Sequence, residues 1–361
     1  LEPGLWSLSN WGSTLVATIS NGKTYTWDST VSNNFDTRAS RNTTNYVTKI
    51  TGTEGNPTAS RLTLISPTTR HLIHLGTETT IGTASTQDDM FIRFSNQEQI
   101  NEYAPSADNS AGTYRLQDGS KIMGAIVAKE NILVWTDNAL YSMKFVGSPF
   151  TFGFEQVGTN CGLIGQNAVV EIDGVAYWVG NNGFFSFDGT VNNLPCSVED
   201  YVFDDFDTTK GQQVCAGINN LFTEVVWYYP TSNASYNDRY VIFNYGESAN
   251  VPMGNWYTGT NVNSIRTTWI DSVIYPKPYA TRFNSGSTGT FPSIVGASGL
   301  GATVYFQHEV GTDQIDPDGQ TTKLTSFIQS YNFSLAKDQT EVFLAMRRFI
   351  PNFKVLETSA K

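Results

Sequence analysis

The sequence runs to 361 residues, of which 15 % are charged and 13 % aromatic, with 31 glycines and a net charge of −11 from 22 basic and 33 acidic residues. Sparse charge with abundant Gly, Thr, Asn and Ser suits many short strands joined by polar turns and excludes a mainly helical chain, because these are weak helix formers. The acidity repels phosphates and excludes tight nucleic-acid binding, while leaving room for a wall past which DNA slides.

The opening residues, Leu1 to Trp6, carry no basic start and no apolar stretch of a leader, and the end is equally abrupt after Phe353, so both termini are expected to be incomplete. The first predicted strands are 15–19 and 24–27, joined across Asn21-Gly22, the residue pair suited to a type I′ turn. Strands follow at 62–65 and 71–75, then at 124–128, 132–135 and 139–143, and again at 168–172, 175–179 and 184–187. Three stretches share one form: strand, polar turn, strand with an aromatic, and a Gly or Asp exit. They are LVATISNGKTYTWD, ILVWTDNALYSMKFVG and VAYWVGNNGFFSFDG. Their spacing is irregular, as expected of blade-sized units with loop insertions. A β-sandwich uses similar hairpins and is the rival architecture.

The expected fold class is therefore all-β, a β-propeller with loop insertions and one short helix. A single propeller-containing region spans 1–361. The insertions are expected at 29–45, at 76–118, whose first part to residue 89 is poor in apolar residues, and at 281–301, rich in Gly and Ser from 285 onward. The helix is expected after Ser197 as N-cap, with Asp200 three residues on and Tyr201, Val202, Phe203 and Phe206 as its apolar side. Asp204, Asp205 and Asp207 near its end oppose the helix dipole and keep it short. Trp27, Trp135 and Trp178 sit in paired strands and are placed inside the blades.

Chemistry-bearing groups are few. His71 and His74 lie three apart in a predicted strand, point to opposite faces and cannot share a metal, and His308 stands alone. Asp204, Asp205 and Asp207 lack the glycine loop and terminal Glu of a calcium-binding hand. Cys161, Cys196 and Cys215 form neither a disulfide framework nor a metal-binding pair, which suits a reducing compartment. Ser106, Asp108, Gly112 and Tyr114 follow the sialidase Asp-box only loosely, and that box is a structural turn. Trp227-Tyr228-Tyr229 and Phe184-Phe185 are read as core, with alternation burying every second member. No nucleotide-binding glycine motif and no nucleophile elbow occurs, and no run of about 18 apolar residues could span a membrane. No residue is assigned a catalytic, cofactor-binding or metal-binding role, and no enzyme activity is expected.

From residue 194 to 271 the sequence resembles the tail nozzle, or hub, proteins of short-tailed phages, some of them called packaged-DNA stabilisation proteins. The resemblance is carried by Pro195 to Asp205, Asn219 to Phe222, Glu224 to Pro230, Asp238 to Tyr245, Trp256, and Arg266 to Trp269. Trp6 to Gly12, Tyr25 to Asp28, and Phe343 to Asn352 agree with it. The resemblance implies a structural virion protein, assembled in the host cytoplasm as a homo-oligomeric ring, typically a hexamer. Its partners would be adaptor and portal proteins and tail fibres or a needle, and DNA would touch its lumen only transiently. An acidic lumen would let DNA pass without sticking. A receptor- or glycan-binding tail propeller and a polysaccharide-cleaving tailspike are the alternative readings.

Overall fold

The computed structural model describes residues 4–28, 48–49, 56–129, 131–248, 251–260, 265–284, 302–311, 313–315 and 321–323. The single region expected over 1–361 divides into two compact units, Leu1–Val310 and Gly311–Lys361. In the second, β24 (Asp313–Ile315) pairs antiparallel with β25 (Thr321–Lys323).

The first unit is a six-bladed β-propeller. Each blade is an antiparallel meander of consecutive strands. Blade 1 holds β1 (Trp6–Trp11), β2 (Thr14–Ile19), β3 (Thr24–Asp28) and β4 (Thr48–Lys49). Blade 2 holds β5 (Ser60–Ile65), β6 (Leu72–Thr77), β7 (Phe91–Phe94) and β8 (Gly112–Arg115). Blade 3 is β9 (Ile122–Ala128), β10 (Asn131–Thr136), β11 (Ala139–Gly147) and β12 (Thr151–Thr159). Blade 4 is β13 (Val169–Ile172), β14 (Val175–Val179), β15 (Phe184–Phe187) and β16 (Val191–Asn193). Blade 5 is β17 (Cys215–Asn219), β18 (Glu224–Tyr229), β19 (Arg239–Asn244) and β20 (Asn255–Gly259), and blade 6 is β21 (Thr268–Ile270), β22 (Tyr279–Asn284) and β23 (Ala302–Gln307). The first strands lie innermost, with β1, β5, β9, β13, β17 and β21 touching in succession.

Every predicted strand is present, but several expectations need correction. Within 76–118, Phe91–Phe94 and Gly112–Arg115 form the outer half of blade 2, with loops on either side of β7. Of 281–301, the first four residues belong to β22 and the rest lie outside the described residues, as do 29–45. The hairpin at Asn21-Gly22 is not type I′, because only Asn21 takes a positive φ, 57°. Gly22 instead closes the turn by donating its N–H to the Ile19 carbonyl at 2.9 Å. The helix α1 is a single turn, Glu199–Phe203, with Val198 and not Ser197 at its N-cap and no side-chain cap. Short 3₁₀ turns lie at Ala84–Thr86 and Thr208–Gln213, and no helix among the described residues is long and apolar enough to cross a membrane.

The core lies between blades. Expecting alternation to bury every second aromatic underestimates this, because an interior blade has a neighbour on each face. Val225, Val226, Trp227, Tyr228 and Tyr229 of β18 are all buried, as are both Phe184 and Phe185. Their neighbours are aromatic too. Trp135 meets Trp178 edge-to-face at 5.3 Å between centroids, and Phe184 lies 5.1 Å from Trp227.

Three indole N–H groups then tie their blades to the preceding segment. Trp178 donates to the Cys161 carbonyl at 2.9 Å, Trp227 to Ala168 at 3.1 Å and Trp269 to Ile218 at 2.6 Å. The linkers that let blades approach this closely are glycine-bearing. A Cβ on Gly165 would stand 2.2 Å from the Gly211 carbonyl oxygen, and one on Gly211 would stand 2.5 Å from that of Ile164.

Trp135 and Trp178 are fully buried, whereas Trp27 is half-buried at the outer side of blade 1. Trp178→Ala should therefore cost roughly 3–5 kcal/mol, and Trp27→Ala distinctly less. Urea unfolding of the two variants beside the wild type checks this; equal losses would contradict the assigned core.

Candidate functional site

A propeller can act through its axis or through its two faces. At the axis, residues from five blades converge: Leu5 and Ser20, Arg61 and Leu62, Met123, Gln166, and Gln212. The Gln166 Nε2 donates to the Trp6 carbonyl at 3.3 Å, and the Gln166 backbone N–H donates to the Gln212 Oε1 at 3.3 Å. The void left among them is about 10 Å³, the size of one water position. That opening is far narrower than a nucleic-acid strand.

Strand direction alternates along each meander, so the turns between first and second strands, and between third and fourth, emerge on one face. Turns between second and third strands, and the linkers between blades, emerge on the other.

The second of these faces is polar, and several of its acids are committed. Asp88 binds Arg115 at 2.7 Å, Asp89 lies 3.5 Å from Arg61, and Asp137 accepts hydrogen bonds from the backbone and hydroxyl of Ser120. The Ser120 donors and the Lys121 backbone N–H outweigh burial and hold the Asp137 carboxyl below its usual range. The acids picked out near the helix are also in use. Asp205 pairs with Arg239 at 2.9 Å and accepts from Ser232, while Asp207 caps Thr208–Gln213 and pairs with Lys210 at 2.7 Å. They do not converge on a common point, and no group of three potential metal ligands occurs among the described residues.

The first face differs. Its exposed turn residues include Phe145, Val146 and Phe150 of the β11–β12 hairpin, Leu221 and Phe222 between β17 and β18, and Val273 and Ile274 between β21 and β22. Among the described residues, the large apolar turn and linker residues exposed on the polar face are the two tyrosines Tyr201 and Tyr236.

The remaining chemistry-bearing residues serve packing. His71 Nδ1 bonds the Thr69 hydroxyl at 2.8 Å and Nε2 bonds that of Ser110 at 3.0 Å, with Phe94 and Phe152 against its ring. His74 bonds the hydroxyls of Ser60 at 2.8 Å and Tyr103 at 3.0 Å. The two face different neighbours, as strand geometry demands. His308 accepts from Arg266 Nε at 2.9 Å and packs on Trp269. Burial pushes the thiol of Cys161 up to about 11 and those of Cys196 and Cys215 to about 12, so all three stay protonated and unreactive at neutral pH. All three are free. The loop at 106–109 is a turn closed by Asn109, whose amide also holds Glu102 at 2.8 Å, while Tyr114 stacks on Phe154. Sequence reading missed the apolar turns altogether. Their signal was large side chains at positions where polar residues are usual, as in Leu221-Phe222 and Val273-Ile274.

The two buried histidines give the fold an acid limit. Burial lowers His71 to about 4, and burial reinforced by the Arg93 cation lowers His74 to about 3, from 6.5 in the unfolded chain. The folded state thus refuses protons that the unfolded state accepts. Stability is full above about pH 6.5 and is lost as pH falls toward 4, by about 3 kcal/mol for each histidine. Tm measured against pH should fall over that window, and His74→Gln should flatten the fall; an unchanged slope would contradict this.

No protein-family profile and no curated protein matches the sequence. Among solved structures the chain is similar to Hsv2 of Kluyvelomyces marxianus, at 10 % identity and a TM-score of 0.39, covering 89 % of this chain and 82 % of that one. It is similar to BamB of Moraxella catarrhalis at 14 % identity and a TM-score of 0.37, covering 76 % and 78 %. The CNH domain of AfRom2 aligns at 10 % identity and a TM-score of 0.42, covering 77 % of each. Likeness at this level carries no function, and the architecture of this chain rests on its own blade-by-blade strand order.

Proposed function

We propose that this chain is a structural subunit of a short-tailed phage tail, of the nozzle or hub kind, which forms a homo-oligomeric ring through which DNA leaves the particle. In this reading it carries out no catalysis and needs no cofactor. It works in the virion, after assembly in the host cytoplasm, between adaptor or portal proteins and the fibres or needle.

The observation that carries the reading is that the residues bearing the resemblance interlock. Trp256 donates to the Pro195 carbonyl at 2.9 Å, Arg239 stacks 4.9 Å from the Tyr201 ring while pairing with Asp205, and Asp238 accepts from the Thr231 backbone and hydroxyl. They form a joint of α1, its flanking linker and blade 5, so what resembles the family is a packing unit and not scattered positions. Phe343 to Asn352 lies outside the described residues. Three buried free thiols fit assembly in a reducing compartment.

The filled axis adds a constraint. In a ring of such subunits the conduit lies between propellers, and each propeller is a solid block in the wall.

Negative-stain or cryo-electron imaging of the purified protein at high concentration tests the reading. Closed rings around an open channel are expected, with carboxylates outnumbering Lys and Arg along the channel wall. A monomer at every concentration, or a lumen lined mainly by Lys and Arg, would count against it.

A further inference from the structure

The turns of blades 5 and 6 form one continuous patch. The Asn220 backbone N–H donates to the Asp271 carboxylate at 2.9 Å, the Tyr245 N–H to the Thr223 carbonyl at 2.9 Å, and the Asn244 side chain to the Phe222 carbonyl at 3.1 Å. These bonds hold the β17–β18, β19–β20 and β21–β22 turns side by side. On that frame Leu221 and Phe222 are about half exposed, Val251 and Met253 stand beside them, Ile274 is 82 % exposed and Val273 fully so. Side chains this exposed add nothing to the core, and a contiguous apolar patch on a soluble protein marks a contact surface.

The charge around the patch says what it contacts. Glu224, Glu247, Asp271 and Glu309 stand at these turns and outnumber the cation of the β21–β22 turn, Lys277, and among the described residues none of the four forms an ion pair with Lys or Arg. Asp271 and Glu309 accept only from Asn220 and Asn219. On the opposite face four acids, Asp88, Asp89, Asp205 and Asp207, have a cation at hand, while Asp118, Asp137 and Asp238 are held by amide, hydroxyl and backbone donors. Burial, with the charges of Glu309 and Glu247, pushes the Glu224 carboxyl up from its usual range, as like charges crowded together must. An apolar centre beside an excess of negative charge repels nucleic acid and anionic bilayers, and repels the same patch on a second copy. It attracts a surface of the opposite pattern.

We propose that the turns of blades 5 and 6 are a docking site for a protein segment that presents large apolar side chains flanked by Lys or Arg. Leu221, Phe222, Val273 and Ile274 bury against its apolar side chains, and the four carboxylates take its cations. The assignment holds whether or not the chain belongs to a tail.

Fluorescence anisotropy with three synthetic peptides tests it. The peptides share Leu and Phe content and carry Lys/Arg, Ser or Glu flanks. The basic peptide should bind at least about tenfold more tightly than the neutral one, and this preference should shrink with added salt. Phe222→Ser with Ile274→Ser should abolish binding at an unchanged Tm, because both side chains are exposed. Glu224→Gln with Glu247→Gln and Glu309→Gln should erase the preference for the basic peptide while leaving the apolar contribution.

Five outcomes would overturn the proposal: no binding of the basic peptide, equal binding of all three, binding indifferent to the substitutions, self-association that Phe222→Ser removes, or co-sedimentation with phosphatidylcholine vesicles that Phe222→Ser removes. Self-association that persists in Phe222→Ser bears on ring formation and not on this site, so the failure of one reading is told apart from the failure of the other.

Discussion

Blade-on-blade stacking is the interaction on which the rest of this molecule depends. A single four-stranded meander cannot bury both its faces, and here each interior blade uses both. The recurring device is a tryptophan in the first or second strand whose ring fills the gap between blades and whose N–H reaches back to the preceding segment. Trp178, Trp227 and Trp269 all do this. Trp135 fills the same gap with its N–H unpartnered, against the edge of Trp178. An unpaired buried indole N–H costs about 1–3 kcal/mol, so shape at this joint outweighs hydrogen bonding.

Close stacking leaves little room for chemistry inside. Side chains that could act elsewhere are drawn into packing: His71 sits against Phe94 and Phe152, His74 against Tyr103, and the three cysteines among apolar neighbours. The linkers into blades 4 and 5 bring Gln166 and Gln212 together over the axis, where the Gln166 backbone N–H donates to the Gln212 side chain and its own side-chain amide to the Trp6 carbonyl. What remains free to vary without loss of the fold is the turns. Function in this architecture is therefore sought on the faces.

The inner parts of the blades were legible in the sequence because they combine alternation with tight turns, as in 132–135 with 139–143 and 175–179 with 184–187. The outer strands were not. Gly112–Arg115 has three of four side chains exposed, and Val191–Asn193 buries none fully. Such strands carry no apolar signal, which is why 76–118 looked like an insertion. The helix cap failed for a related reason. Ser197 offers a capping hydroxyl, yet α1 is one turn held by Val202 and Phe203 against the core, so packing sets its start. The division of charge between the faces was out of reach, since the ion pairs join residues far apart in sequence, such as Asp88 with Arg115 and Asp205 with Arg239.

That division changes what the net charge of −11 means. Spread evenly, it would serve only to keep the protein in solution. Here three acids of the polar face, Asp88, Asp89 and Asp205, are spent on Arg side chains of the strands, where they fasten loops to blades. The acids at blades 5 and 6 are spent on backbone and amide groups that leave their charge intact. A carboxylate bonded to an amide is oriented but not neutralised, so Asp271 and Glu309 point their charge outward from fixed positions. Orientation without neutralisation, beside apolar side chains that no blade covers, is how a surface is set in advance for a cationic partner. Little side-chain entropy then remains to be lost on contact.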